Sequence, residues 1–327
     1  MLLAPCSRHL ALSCDVRAAS EDQATQMEIT DEMVAQFRVM PNTKVRLDDW
    51  DTKWNVPAGL AELNKDDLKR EADQFIKLRV RELAELQDVF WADGRYSLLV
   101  IFQGPDASGK DSIVKHVTSG MNPAGVTVVS FKEPSREELR HNYLWRYVRA
   151  LPEQGDIGIF NRSYYEEVTV VRVNPQLLRE RPMPERPIDK AFWHDRFEDI
   201  NSLERQMTRN GTIVLKFFLH LSKVEQKKRL LQRLEDPRKQ WKFSASDIDA
   251  REQWDDYQRA YEELLTETST PHAPWWIMPA GRKWALRALV THVIWTAMEQ
   301  LDLRYPPIDD EKRKLIMLAI EKLGAEV

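Results

Sequence analysis

Cysteine is nearly absent. Two residues, Cys6 and Cys14, stand in the 327-residue chain, both in its first fifteen positions. Such usage excludes a disulfide framework and a cysteine-rich metal site. Long apolar runs are missing too, and no stretch reaches membrane-spanning length. Charge of one sign is not in excess. Charged residues make up 31% of the chain, yet the net charge is only −4. Nucleic acid is therefore not an expected partner, and any polyanion must be met by local clusters of Lys and Arg. Histidines 116, 141, 194, 220, 272 and 292 are scattered without metal-ligand spacing and read as structural. No internal repeat or low-complexity segment occurs. The first 20 residues carry Arg8, Asp15 and Arg17 around a broken apolar run, with no clear cleavage motif. They read as a disordered tail or a start codon assigned too early, in a cytoplasmic enzyme.

What is present is a glycine-rich turn in a specific context. Gly104-Pro-Asp-Ala-Ser-Gly-Lys-Asp-Ser112 follows the apolar run Leu98–Phe102 and precedes the helix-like Ile113–Val117. Strand, Gly-rich turn and helix form the setting of a phosphate-cradling loop. Gly104 and Gly109 free the backbone to wrap an anion. The amides of the loop, including Ala107 and Ser108, and the new helix N-terminus then face the phosphates. Lys110 adds a mobile positive charge. The usual Ser or Thr after that lysine is replaced by Asp111, and Ser112 comes one position later.

Alternating strands and helices surround the loop. Strands are expected at Ser97–Phe102, Val126–Phe131, Asp156–Phe160, Thr212–Leu219 and Trp275–Met278. Helices are expected at Lys65 to about Val89, Ser135–Ala150 with a Ser135/Glu138 capping box, 188–209, 223–235, 247–267 and Arg282–Leu301. Residues 1–40 read as a poorly ordered extension, Val45–Trp50 as an extended arm, 236–246 as a loop, and 307–327 as a helical tail. Near-continuous apolar strands between helices imply an α/β fold: a parallel sheet covered by helices on both faces. Ligands of such sheets sit at the carboxyl ends of the strands. The residues there are Asp106 in the loop, Lys132 and Glu133 after the second strand, Asn161 to Glu167 after the third, and His220 and Lys223 after the fourth.

Several of these stretches, in order and at similar spacing from about residue 40 to 306, resemble the family-2 polyphosphate kinases. They are Gly104–Asp111, Gly120–Gly125, Ser130–Pro134, Leu144–Arg146, Ile159–Glu166, Val170–Val173, Leu215–Ser222, Trp241–Phe243, Glu267–Thr270 and Ala273–Trp275. The resemblance implies a P-loop kinase core over residues 41–306 with a helical lid at about 223–255. It implies transfer of a phosphoryl group from inorganic polyphosphate to AMP or ADP with Mg²⁺ or Mn²⁺, giving ADP and ATP. It also implies a homodimer or homotetramer. The Asn161-Arg162 pair is similar to the subgroup that phosphorylates both AMP and ADP.

The residue chemistry agrees. Phosphoryl transfer asks a protein for positioning and charge neutralisation. Lys110 and the loop amides would hold the phosphates. A carboxylate inside the loop, Asp106, is costly beside phosphate unless a divalent cation lies between. Glu166 is a candidate second metal carboxylate, whereas Asp156 starts its strand at the far end. Arg162 could stabilise transition-state charge. The basic helix 223–235 and the loop after it carry Arg229, Arg233 and Lys242 at spacings that could line a polyanion channel, although a charge run is usually a solvated face. Two other readings remain at this stage. An ATP-dependent nucleoside monophosphate kinase would carry the Ser/Thr that is missing at 111. A nucleotide switch would use Asn64-Lys-Asp-Asp67, but that motif precedes the loop, and Asn64 reads as a helix N-cap.

Overall fold

The computed structural model describes residues 27–56 and 63–325. Five strands form one sheet: β1 (Ser97–Gln103), β2 (Val126–Ser130), β3 (Ile157–Asn161), β4 (Thr212–His220) and β5 (Trp275–Pro279). All neighbours are parallel, in the order β2-β3-β1-β4-β5. β1 is central and buried along its whole length. The pleat sends alternate side chains to opposite faces. Leu98, Val100 and Phe102 join one core and Leu99 and Ile101 the other.

The longer helices are α1 (Lys65–Asp93), α2 (Lys110–Val117), α3 (Lys190–Arg209), α4 (Lys223–Glu235), α5 (Ser246–Glu252), α6 (Trp254–Thr268), α7 (Lys283–Glu299) and α8 (Asp310–Gly324). α1, α2 and α7 supply the first core, and α3 and α6 the second. Asn64 caps α1 by accepting hydrogen bonds from the Asp66 and Asp67 amides, as its position suggested. The sheet is not equally covered everywhere. β2 is an edge strand, and Val128 is 45% exposed.

Three expectations need correction. Residues 27–40, read as part of a poorly ordered extension, are packed. Met27, Ile29, Val34 and Phe37 are buried. Val39 donates to the Trp275 carbonyl and Ile277 to that of Phe37, so this segment covers the free edge of β5, a place where unpaired strand groups would otherwise be open. Residues 1–26 lie outside the described residues. The expected helix 135–150 is two short helices, Arg136–Leu139 and Trp145–Val148. Asn142 breaks it: its side chain accepts from the Leu144 amide and its carbonyl from Trp145, a local alternative to helix bonding. The expected helix 247–267 divides between α5 and α6 at Gln253. The capping box at Ser135 and Glu138 is formed.

Candidate active site

The sheet order places the β1–α2 turn between the carboxyl ends of β3 and β4, where α/β sheets bind ligands. Gly104 has φ +141°, and a Cβ there would meet the Leu219 carbonyl oxygen of β4 at 2.8 Å. Only glycine lets the turn pass that close. Gly109, at φ +111°, opens α2 as its N-cap. Three non-glycine residues share the left-handed region among the described residues, Asn42 away from the site and, at it, Ala107 (φ +62°) and Arg162 (φ +66°). Such outliers persist where surrounding contacts over-determine them, often at functional sites. Ala107 and Arg162 lie on facing loops.

Lys110 is buried, and its Nζ donates to the carbonyls of Gly104 (2.6 Å) and Pro105 (3.1 Å). Burial, and next the charge of Arg162, pull its ammonium down to about 8. Arg162 bridges the two carboxylates, donating to Asp106 Oδ1 at 2.7 Å and Glu166 Oε2 at 3.2 Å. The charge of Glu166, helped by Asp106, holds the guanidinium above its ordinary value despite burial. With its amide oriented to satisfy both ends, Gln103 donates to Glu166 Oε1 at 3.0 Å. Glu166 is thereby fixed from two sides.

Asp111 does not merely replace a hydroxyl. It accepts from Asn161 Nδ2 and Lys242 Nζ, each at 2.9 Å. Partial burial would raise its carboxyl, but these two donors prevail and hold it below the usual range. Lys242 reaches it from the turn after α4, so one ion pair joins that turn to the loop helix. Arg233 is paired with Asp247 of α5 at 2.7 Å. Burial, and next the Asp106 charge, push the Asp247 carboxyl up. Arg229 is held otherwise. It donates to the carbonyls of Ala107 (3.2 Å), Ser108 (3.1 Å) and Ala280 (2.6 Å). It props the loop.

The structure thus brings together Gly104, Asp106, Ala107, Ser108, Gly109, Lys110, Asp111, Asn161, Arg162, Glu166, Arg229 and Lys242, with Arg233 joined through Asp247. Ser112 faces another way, accepting from Arg287 at 3.0 Å. Lys132 is exposed, with its carbonyl taken by Arg146. Asp156 lies at the opposite strand end, where its carbonyl accepts from Leu98. Four contributors escaped the sequence reading: Gln103, Gln226 (which donates to the Asp106 carbonyl at 3.2 Å), Asp247 and Arg287. A signal existed for the last. Arg282 and Lys283 stand at the start of α7, where the helix dipole disfavours cations, and such a conflict invites a functional explanation.

A Gly-rich loop between the central strand and a helix, in this strand order, with a basic helical segment over it, defines a P-loop kinase-like fold. The chain belongs to the polyphosphate kinase 2 family, whose model matches residues 63–306. It is 45% identical over 289 residues to an ADP-polyphosphate phosphotransferase of Rhodopseudomonas palustris, covering 88% of this chain and 97% of that one. It is 40% identical to an AMP/ADP-polyphosphate phosphotransferase of Meiothermus ruber, over 76% and 89% of the two chains. The crystal structure of polyphosphate kinase 2 from Arthrobacter aurescens TC1 superposes with a TM-score of 0.79 at 34% identity, covering 91% of this chain and all of that one.

Proposed function

We propose that this enzyme transfers a phosphoryl group from inorganic polyphosphate to AMP or ADP, giving ADP and ATP, and that the transfer is reversible. The observation that carries the reading is the Asp106–Arg162–Glu166 bridge facing buried Lys110 inside the loop. Lys110 and the loop amides hold phosphate oxygens, and the Gly104 and Pro105 carbonyls keep the ammonium over the loop. Arg162 presents its guanidinium to charge developing on the transferred group. Asn161 and Asp111 set the height of the loop helix against β3.

Arg162 takes one oxygen of each carboxylate. Among the described residues, the one cluster of three His, Cys, Asp or Glu ligands is the exposed trio His194, Asp195 and Glu198 on α3. Asp106 and Glu166 therefore make no closed protein cage. They suit Mg²⁺ or Mn²⁺, which keeps waters and phosphate oxygens and takes one or two carboxylates. Asp106, with Glu166 beside it, would hold the ion, which supplies charge neutralisation between donor and acceptor phosphates.

Residues 41–306 would form the phosphotransferase domain, with a lid at about 223–255 and residues 307–327 as a helical tail. Arg229, Arg233, Lys242 and Lys132 would serve the polyphosphate or the lid. The protein would work in the cytoplasm as a homodimer or homotetramer. No helix among the described residues is long and apolar enough to cross a membrane. The test is an assay of AMP and ADP with polyphosphate, with and without chelator, resolving AMP, ADP and ATP over time. Metal-dependent phosphorylation by polyphosphate is expected. Activity with ATP as donor and none with polyphosphate would make the enzyme a monophosphate kinase instead.

A further inference from the structure

The last helix of the chain stands clear of the body. The final tie is the Arg304 amide, which donates to Asp93 Oδ2 at 2.9 Å. Every residue from 305 to 325 is exposed. Among the described residues no hydrogen bond or ion pair joins this stretch to the rest of the chain, and the bonds it makes are its own. Pro306 and Pro307 precede α8, and prolines favour an extended, semi-rigid spacer. The family model ends at residue 306, so α8 lies outside the matched segment.

α8 is nevertheless well specified as a helix. Asp309 caps it, accepting from the Lys312 amide at 2.7 Å. Asp310 and Glu311 stand in its first turn and Lys322 in its last, as the helix dipole favours. Leu315, Ile316, Ala319, Ile320 and Leu323 recur at the spacing of one helix face. Met317 and Leu318 widen this apolar band at the middle, and Lys312, four residues before Ile316, ends it with a charge. Leu315, Met317, Leu318, Ile320 and Leu323 are each more than half exposed. Single exposed apolar side chains are ordinary, but a contiguous band marks a contact surface. A helix of 15 residues is also marginal in water by itself.

We propose that two copies of this chain associate through α8, packed antiparallel about a two-fold axis near Met317 and Leu318. The helix is self-complementary in that arrangement. Its apolar residues, Leu315–Ile320, fill the middle, and charged residues stand at both ends. Turned end for end, one copy lays its apolar middle on the other's and keeps its charged ends in water. Each N-terminus then lies beside the other copy's C-terminus, the favourable order for the two dipoles, whereas a parallel pair sets like ends together. At 1.5 Å per residue α8 is about 22 Å long. One strip of such a helix offers each chain less than the roughly 800 Å² of a standard interface, so the pairing depends on protein concentration. The inference rests on the homo-oligomer reading above and deepens it by giving the oligomer a surface.

The test is sedimentation velocity over a wide range of protein concentration, for the unaltered protein, Ile316→Glu and Ile320→Glu. Both positions are exposed in the single chain, so the variants should fold, and thermal unfolding checks this. The unaltered protein should gain mass as concentration rises. Each variant should raise the dissociation constant at least about tenfold, because it puts a charge into an apolar seam. Cross-linking fixes the direction. With Cys6 and Cys14 replaced by Ser, Ala319→Cys should form an intermolecular disulfide. Leu323→Cys should not, since antiparallel pairing sets those two Cα atoms about 16 Å apart along the axis, beyond disulfide reach. Cross-linking at both positions would mean a parallel pair and overturn the proposed symmetry. Association that survives both Glu variants would overturn α8 as the surface while leaving the oligomer reading in place. A protein monomeric at every concentration would overturn both. Monomers that sediment with anionic lipid vesicles, and lose this in Ile316→Glu, would assign the band to a membrane surface instead of a second copy.

Discussion

Lys110 shows how one residue couples burial to chemistry. Its ammonium is held near a pKa of about 8, against an ordinary 10.5, because it is buried and faces Arg162. Above about pH 8 the free enzyme loses the Lys110 charge proposed to cradle phosphate. kcat/KM, which reports free-enzyme groups, should therefore fall as pH rises through that value. Lys110→Arg should push the falling limb upward, since a guanidinium stays charged. Stability has the opposite sign. Between about 8 and 10.5 the unfolded chain binds a proton that the folded one does not, so this group's contribution to stability rises with pH across that window. Lys110→Ala should lower kcat by at least about a hundredfold, a loss of charge stabilisation worth several kcal/mol. Asp106→Asn should do the same and raise the metal concentration needed for half-maximal rate. Near-native rates in both, with normal folding, would place the chemistry elsewhere. These two residues were legible in the sequence because their loop has a fixed spacing. Asp247 was not, because nothing local distinguishes an acid on a lid helix from a solvated one.

At the scale of the element, the proposed lid segment carries its own counter-ions. Arg233 pairs with Asp247, and Lys242 with Asp111. A polyanion drawn to these cations must compete with carboxylates already in place. Arg233→Ala and Lys242→Ala should raise KM for polyphosphate more than KM for ADP. Asp247→Asn should lower it, since Arg233 would lose its competitor. A larger effect on ADP would mean that the lid grips the acceptor. The basic helix itself was legible, and α4 begins and ends where its periodicity said, with Ser222 as its cap. Its partners were not legible. A charge run reads the same whether it meets water, a substrate or an acid fourteen residues away. The two divided helices teach a related lesson. Apolar periodicity runs through 135–150 and 247–267, but a single Asn side chain at 142 offers the backbone other bonds, and propensity summed over a window does not register that.

For the whole molecule, the five-strand parallel sheet followed from strand composition, but the support beneath the site did not. Lys216 points from β4 into the core with no exposure. Its Nζ donates to Glu204 Oε2 (2.7 Å), Tyr165 Oη (2.9 Å) and the Thr268 carbonyl (2.7 Å). Glu204 Oε1 accepts from both Tyr164 (2.8 Å) and Tyr165 (2.7 Å). Read as sequence, Lys216 was only a charged residue inside an apolar strand. In the fold it ties β4, α3 and α6 to the turn that follows Arg162. Burial drives its ammonium below the ordinary lysine value, and the Glu204 charge and hydrogen bond oppose that shift. A buried pair contributes little net stability, but removing one member leaves an uncompensated charge and costs about 3–5 kcal/mol. Lys216→Met should lose stability of that order in chemical denaturation. It should also lower kcat, because the freed Glu204 no longer fixes the tyrosines next to Arg162. Adding Glu204→Gln to Lys216→Met should restore part of the stability, since the stranded charge is gone, but less of kcat, since the turn keeps fewer bonds. If Lys216→Met unfolds as the unaltered protein does, the network is ornamental to the fold. If stability falls while kcat holds, the turn is positioned by its own backbone, and the strained φ of Arg162 is maintained by β1 alone through the Arg162 amide and the Phe102 carbonyl.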